Sequence, residues 1–195
     1  MFNAIDSVPL TAIAFFMLTG ELMTSATITD RLVALSRALI GRIRGGLAQV
    51  NVLVSMFFAG MNGSVVADTA TVGALVLPAM KKAGYPAAFS AAVTGVSSTI
   101  GGIIPPSIMM IVLANSTEIS IAALFAAGII PGVLIGVVIM IINHYFAIKY
   151  NFERSDEPFS IRRAGKELYR SSFALLIPLV LVGSVMGGVA SVVEA

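Results

Sequence analysis

Cysteine and tryptophan are absent from this 195-residue sequence, and histidine occurs once. Without cysteine there is no disulfide framework and no thiolate metal centre, and one histidine cannot build a zinc site. Charge is scarce as well. Asp, Glu, Lys and Arg make up 11% of the chain against 57% hydrophobic residues, and the mean hydropathy is +0.97. That balance excludes an ordinary soluble domain and points to a membrane protein in contact with lipid. The net charge is only +2 and no basic run carries interleaved aromatics, so no nucleic-acid partner is expected. A phosphate-cradling Gly-Lys-Ser/Thr loop is also missing, which removes the usual ATP-binding device. Met1 to Val8 carry Asp6 and no Lys or Arg, unlike the basic start of a secretory signal peptide.

What is present is a series of apolar stretches: Val8 to Ala26, Gly46 to Gly60, Val65 to Met80, Ala87 to Ala114, Ile121 to Ile148 and Ser172 to Ala190. A spanning helix needs roughly 20 apolar residues. The second and third stretches fall short of that. All twelve basic residues lie between the stretches: Arg31, Arg37, Arg42 and Arg44, then Lys81 and Lys82, then Lys149, Arg154, Arg162, Arg163, Lys166 and Arg170. If basic segments stay in the cytoplasm, the arginines before Gly46 and the lysines after Met80 share one side. The chain between them must enter the membrane and return. Two short helices with a turn at "MNGS" therefore predict a re-entrant hairpin, and non-helical backbone at such depth survives only against protein or a water-filled cavity. The same rule makes "NSTEIS" an outer loop and the segment up to Arg170 cytoplasmic. It also starts the first span, Val8 to Ala26, on the outer side.

A second interruption is "SSTIGGIIPPSI", Ser97 to Ile108. Two glycines and two consecutive prolines cannot continue a regular helix. Unwound carbonyls can ligate a desolvated cation, and a second half-helix starting near Pro105 would offer N–H groups to an anion. A hairpin tip beside a broken helix is how secondary transporters build midplane sites.

The stretches "FFMLTGELM" (Phe15 to Met23), "RIRGGLAQVNVLVSMFFAGMNGSVVADTATVG" (Arg42 to Gly73), "SSTIGGIIPPSI" and "LFAAGIIPGVLIG" (Leu124 to Gly136) resemble the large, DctM-like membrane subunit of tripartite ATP-independent periplasmic (TRAP) transporters. The resemblance implies an all-α membrane protein, an elevator-type importer driven by sodium and carrying carboxylates or sialic acid. It also implies a small membrane subunit and a periplasmic binding protein as partners, with sodium as coupling ion and no other cofactor. Family permeases of this kind are about twice this length and contain two inverted repeats, so the chain is expected to be an N-terminal half. Its ending, "GVASVVEA", looks like the junction between repeats. Two positions depart from the family's usual pattern, Gly102 where a proline is common and Val65 where a small residue is common.

Carried over residue by residue, the likeness assigns the sodium site to Asn62, Gly63 and Ser64 at the hairpin tip and to Gly101, Gly102 and Ile104 in the broken helix. Asp68 and Thr69 would ligate the ion or brace the tip. Ser97, Ser98 and Thr99, with Pro105, Pro106 and Ser107, are the candidate substrate-facing residues. The competing reading of the three hydroxyls is a bond to a carbonyl one turn back. Residues 1–45 are expected to form a scaffold, 46–114 the transport unit and 115–195 further spans. Glu21 is read as snorkelling, and Gly128, Gly132 and Gly136 as a packing seam. Leu32, Leu35, Leu39 and Ile43 mark an amphipathic helix along the cytoplasmic surface. Two rival functions are an intramembrane serine protease using Ser64 and His144, and a scaffold that transports nothing.

Overall fold

The computed structural model describes residue 18 and residues 28–41, 43–152 and 160–187. The first span, Val8 to Ala26, with Glu21 and the Phe15 to Met23 motif, lies outside the described residues, and so does the Gly188 to Ala195 end. Among the described residues the chain is helical throughout, without strands. The helices are α1 (Ile28–Ile40), α2 (Gly46–Asn62), α3 (Val65–Lys82), α4 (Ala87–Ser98), α5 (Ile108–Thr117), α6 (Ile121–Lys149) and α7 (Ile161–Met186). A single 3-10 turn, Thr99–Gly102, extends α4.

Helix α2 is the centre. It packs against α1, α3, α4, α6 and α7, and Val50, Val52, Val54, Ala59 and Phe58 are all but inaccessible to solvent. A helix that is apolar all round is stable only when enclosed on every side, which accounts for a short apolar stretch lying inside the protein. Gly45 enters it with φ +71, and a Cβ there would press on the Ala147 Cβ of α6. The closure of α3 onto α4 is fixed by Gly84 at φ +78 and by the Tyr85 N–H donating to the Met80 carbonyl at 3.1 Å. Tyr85 then packs at a tilt against Phe152, ring centres 4.5 Å apart, and Phe89 joins them at 5.1 Å from Phe152. Lys81 and Lys82 occupy the last turn of α3, where a helix favours positive charge.

Two described helices are long and apolar enough to cross a membrane, α6 and residues Ala164–Met186 of α7, and only 28% and 22% of their apolar windows are buried. Ile130, Leu134, Ile141 and Leu179 stand outward. The last apolar stretch of the sequence begins at Ser172. Helix α7 begins earlier, at Ile161, because Arg162, Lys166 and Tyr169 lie on its exposed side and do not interrupt the helix. On α1, Leu32 and Leu35 are fully buried against the protein while Leu39 remains exposed, as does Ile43 beyond the end of the helix. The helix is tied to α7 by the Ser171 hydroxyl donating to the Arg31 carbonyl at 3.2 Å and by Arg31 Nη1 donating to the Arg170 carbonyl at 3.3 Å.

Candidate functional site

Helices α2 and α3 form a hairpin whose turn is two residues long. Gly63 adopts φ +57 and Ser64 is extended. The Ser64 hydroxyl accepts the Ala67 N–H at 3.4 Å, capping α3, and the Asn62 side-chain oxygen accepts the Ser64 N–H at 3.2 Å. Serine and asparagine suit these positions because their short side chains replace the bonds that a helix end lacks.

The broken helix has a matching design. After the 3-10 turn the backbone runs irregularly through Ile103 to Pro106, with a cis Pro105–Pro106 peptide, and α5 starts at Ile108. The expected start near Pro105 is thereby moved three residues on. Ser107, with extended backbone, takes the capping position. Its hydroxyl accepts the Met110 N–H at 3.4 Å and donates to the Gly102 carbonyl at 2.9 Å.

The two interruptions touch. The Ile108 N–H donates to the Gly63 carbonyl at 3.3 Å. A Cβ on Gly63 would collide with the Pro106 carbonyl oxygen and lie 3.0 Å from the Ser107 Cα. One turn earlier, a Cβ on Gly101 would sit 3.7 Å from the Ser64 carbonyl, and one on Gly102 would sit 3.4 Å from a Val65 methyl. Val65 and Gly102 are therefore neighbours, and Val65 fills space that Gly102 leaves open. Pro105, Pro106 and Ser107 are buried. The C-terminal ends of α2 and of the 3-10 turn bring partial negative charge to this place, and the N-terminal ends of α3 and α5 bring partial positive charge. Helix α6 backs the break. Gly128 faces the Ile103 carbonyl and Gly132 faces Ile104, while Gly136 faces Met56 of α2. The glycine seam thus accommodates irregular backbone as well as a neighbouring helix.

The candidate hydroxyls divide. Thr69 and Thr99 are exposed, and each donates to a carbonyl of its own helix, Val65 at 2.8 Å and Val96 at 2.7 Å. Ser97 and Ser98 are fully buried and turn toward the hairpin. Ser97 shares a 3.1 Å bond with Ser55 of α2 and also reaches the Asn51 side-chain oxygen at 3.3 Å. Asn51 Nδ2 donates to Thr94 Oγ1 at 2.7 Å. Asp68, in the first turn of α3, is fully buried beside Ser98 and Ser55, yet neither carboxylate oxygen has a partner within hydrogen-bonding geometry. Asn51, Ser55 and Thr94 escaped the reading of the sequence. Their signal is a four-residue spacing, Asn51 to Ser55 and Ser90 to Thr94, which puts each pair on one face of an otherwise apolar helix. Asn51→Ala should cost about 1–3 kcal/mol, since it strips partners from two buried hydroxyls. A lowered melting temperature of the native permease would show it, with Asn143→Ala, whose bond to the Ala48 carbonyl is 3.5 Å long, losing less.

Ser64 and His144 do not form a catalytic pair. Asn143 is anchored to Ala48, near the opposite end of α2 from the tip, and the helix runs fourteen residues on from Ala48 to Asn62 beside the tip, roughly 21 Å along the axis. His144 itself is exposed on α6.

Comparison with known proteins gives the family. The family model described as "Tripartite ATP-independent periplasmic transporter, DctM component" matches residues 1–195. The chain is 39% identical over 193 residues to the sialic acid TRAP transporter permease protein SiaT of Haemophilus influenzae, covering 98% of this chain and 31% of that protein. It is 35% identical over 195 residues both to the sialic acid TRAP transporter large permease protein SiaM of Vibrio cholerae and to the C4-dicarboxylate TRAP transporter large permease protein DctM of Pseudomonas aeruginosa, covering 100% of this chain and 45% of each. The chain thus spans less than half the length of these relatives. With the whole chain matched, it belongs to the DctM family of TRAP transporter large permeases.

Proposed function

We propose that this chain supplies one ion- and anion-binding half of a sodium-coupled permease that imports an organic anion across the bacterial inner membrane. The observation that carries the reading is the contact between Gly63 and the Pro106–Ile108 segment, which gathers two helix C-termini and two helix N-termini at one point. Carbonyls at unwound helix ends suit a dehydrated sodium ion, and helix N-termini suit a carboxylate. Sodium is assigned to Asn62, Gly63 and Ser64 on the hairpin side and to Gly101, Gly102 and Ile104 on the other, with Asp68 and Thr69 bracing the hairpin beneath. The substrate carboxylate faces the first turn of α5 at Ser107, beyond Pro105 and Pro106. The hairpin is re-entrant, since α2 begins after Arg44 and α3 ends at Lys82, both in basic segments that stay in the cytoplasm.

The names of the relatives support a carboxylate as the substrate class. Sialic acid and C4-dicarboxylates both carry a carboxylate, and the substrate is delivered by a periplasmic binding protein to a permease that works with a small membrane subunit. In an elevator-type cycle residues 46–114 would move as a unit, and we place α6 with them, because Gln49 Nε2 of α2 donates to the Met140 carbonyl at 2.8 Å and the α6 glycines cradle the break. The test is uptake into liposomes containing the native permease with its partner subunits and binding protein, using labelled sialic acid and labelled succinate under an imposed sodium gradient. Accumulation of either that collapses when choline replaces sodium is the expected result. Accumulation indifferent to sodium would overturn the coupling, and no accumulation of any carboxylate would leave the scaffold reading standing.

A further inference from the structure

The outer face of α7 changes character along its length. Arg162, Lys166 and Arg170 follow one another a helical turn apart, and all three are exposed. Three residues on, the same face turns apolar: Phe173, Leu176 and Val180 stand outward, each half exposed or more. Tyr169, 83% exposed, marks the border, the place that amphipathic rings take between headgroups and acyl chains. Helix α1 adds a cation at the same level. The Ser171 hydroxyl donates to the Arg31 carbonyl at 3.2 Å, and Arg31 Nη1 donates to the Arg170 carbonyl at 3.3 Å. That is the one bond of the Arg31 guanidinium to a described residue, so most of its five N–H groups stay open. The two helices contain six basic residues, Arg31, Arg37, Arg162, Arg163, Lys166 and Arg170, against two acids, Asp30 and Glu167. Asp30 sits in the first turn of α1, where it offsets the partial positive end of that helix. Glu167 meets Arg170 at 3.5 Å but is turned inward, with 16% of its side chain exposed.

We infer that the outer face of α7, with Arg31 of α1, binds an anionic phospholipid. Its phosphate lies among Arg31, Lys166 and Arg170, and its acyl chains run along Phe173, Leu176 and Val180. The match is of both charge and polarity. Guanidinium groups suit phosphate because their N–H groups form a planar fork, and basic residues just outside an apolar span attract the anionic leaflet. A free anion would use the cations and leave the apolar half of the face unexplained. A zwitterionic lipid would use the apolar half and leave the excess of cations unexplained. The lipid would also join α1 to α7 at the level where two bonds already hold them. The inference is independent of sodium at the hairpin tip and stands whether or not that assignment holds.

The test is native mass spectrometry of the native permease, stripped of lipid in detergent and titrated with phosphatidylglycerol or with phosphatidylcholine of the same acyl chains. The expected result is retention of phosphatidylglycerol but not of phosphatidylcholine, undiminished by added inorganic phosphate. Arg31→Gln, Lys166→Gln and Arg170→Gln should each weaken that retention about fivefold, the worth of one cation near an anionic lipid surface. Lys82→Gln, in the last turn of α3, should leave it unchanged. Lys166 makes no bond with a described residue, so Lys166→Gln should melt as wild type does and keeps the inference testable if Arg31→Gln loosens α1. Equal retention of the two lipids, displacement by inorganic phosphate, or variants that hold phosphatidylglycerol as tightly as wild type would overturn the proposal. So would retention of neither lipid, the result if another subunit or the rest of the permease covers this face.

Discussion

If the permease is driven by sodium as proposed, Gly63→Ala should reduce its uptake at least about tenfold. Two costs combine. At φ +57 an alanine carries a strain of about 1–2 kcal/mol that glycine does not. Its Cβ would also meet the Pro106 carbonyl, with the Ser107 Cα at 3.0 Å and the Ile108 nitrogen at 3.1 Å, all backbone and none able to swing aside. The hairpin must therefore back away from the break, giving up the bond from Ile108 to the Gly63 carbonyl. A displacement of that kind is enough to disable a site built on positioned backbone dipoles, where each 1.36 kcal/mol is a factor of ten. Uptake at wild-type rates by a correctly folded Gly63→Ala protein would show that the tip and the break need not touch.

The second large effect concerns the α6 seam, and here the sign of the contrast matters more than its size. Gly128→Ala places a Cβ against the Ile103 carbonyl and the end of Met110, and the backbone oxygen cannot yield without moving the break. Gly136→Ala meets only the Met56 thioether, the end of a flexible side chain that can find another rotamer. Overpacking of the first kind costs about 1–3 kcal/mol, and of the second kind well under that. Paired melting curves and uptake rates should rank Gly136→Ala near wild type and Gly128→Ala far below it. Equal tolerance of both would mean that α6 does not hold the irregular segment in place.

Much of this was legible in the sequence, for identifiable physical reasons. The hairpin followed from the spacing of basic residues around two apolar stretches too short to span, and its turn fell at Gly63 and Ser64, within "MNGS". The break followed from Gly101, Gly102, Pro105 and Pro106. Its course did not, since composition does not say that Ser107 would cap α5 or that the irregular stretch would lie against Gly128 and Gly132. The apolar stretch from Ser172 does not mark the start of α7, since Arg162 and Lys166 ride on an exposed helical face and the helix begins at Ile161. The polar cluster of Asn51, Ser55, Thr94 and Ser97 was missed for a related reason. Each of these residues is small and isolated among apolar neighbours, and only the packing of α2 against α4 turns four separate residues into one network.

The claim that the joined hairpin tip and break hold a sodium ion is tested most directly by the melting temperature of the purified native permease in sodium and in choline at equal ionic strength. A ligand that binds only the folded state raises stability by RT ln(1 + [L]/Kd), about 2.7 kcal/mol at a hundredfold excess over Kd. The account predicts a higher melting temperature in sodium for wild type and for Gly136→Ala, with no difference between the two salts for Gly63→Ala. Identical melting of the wild-type protein in sodium and choline would contradict it.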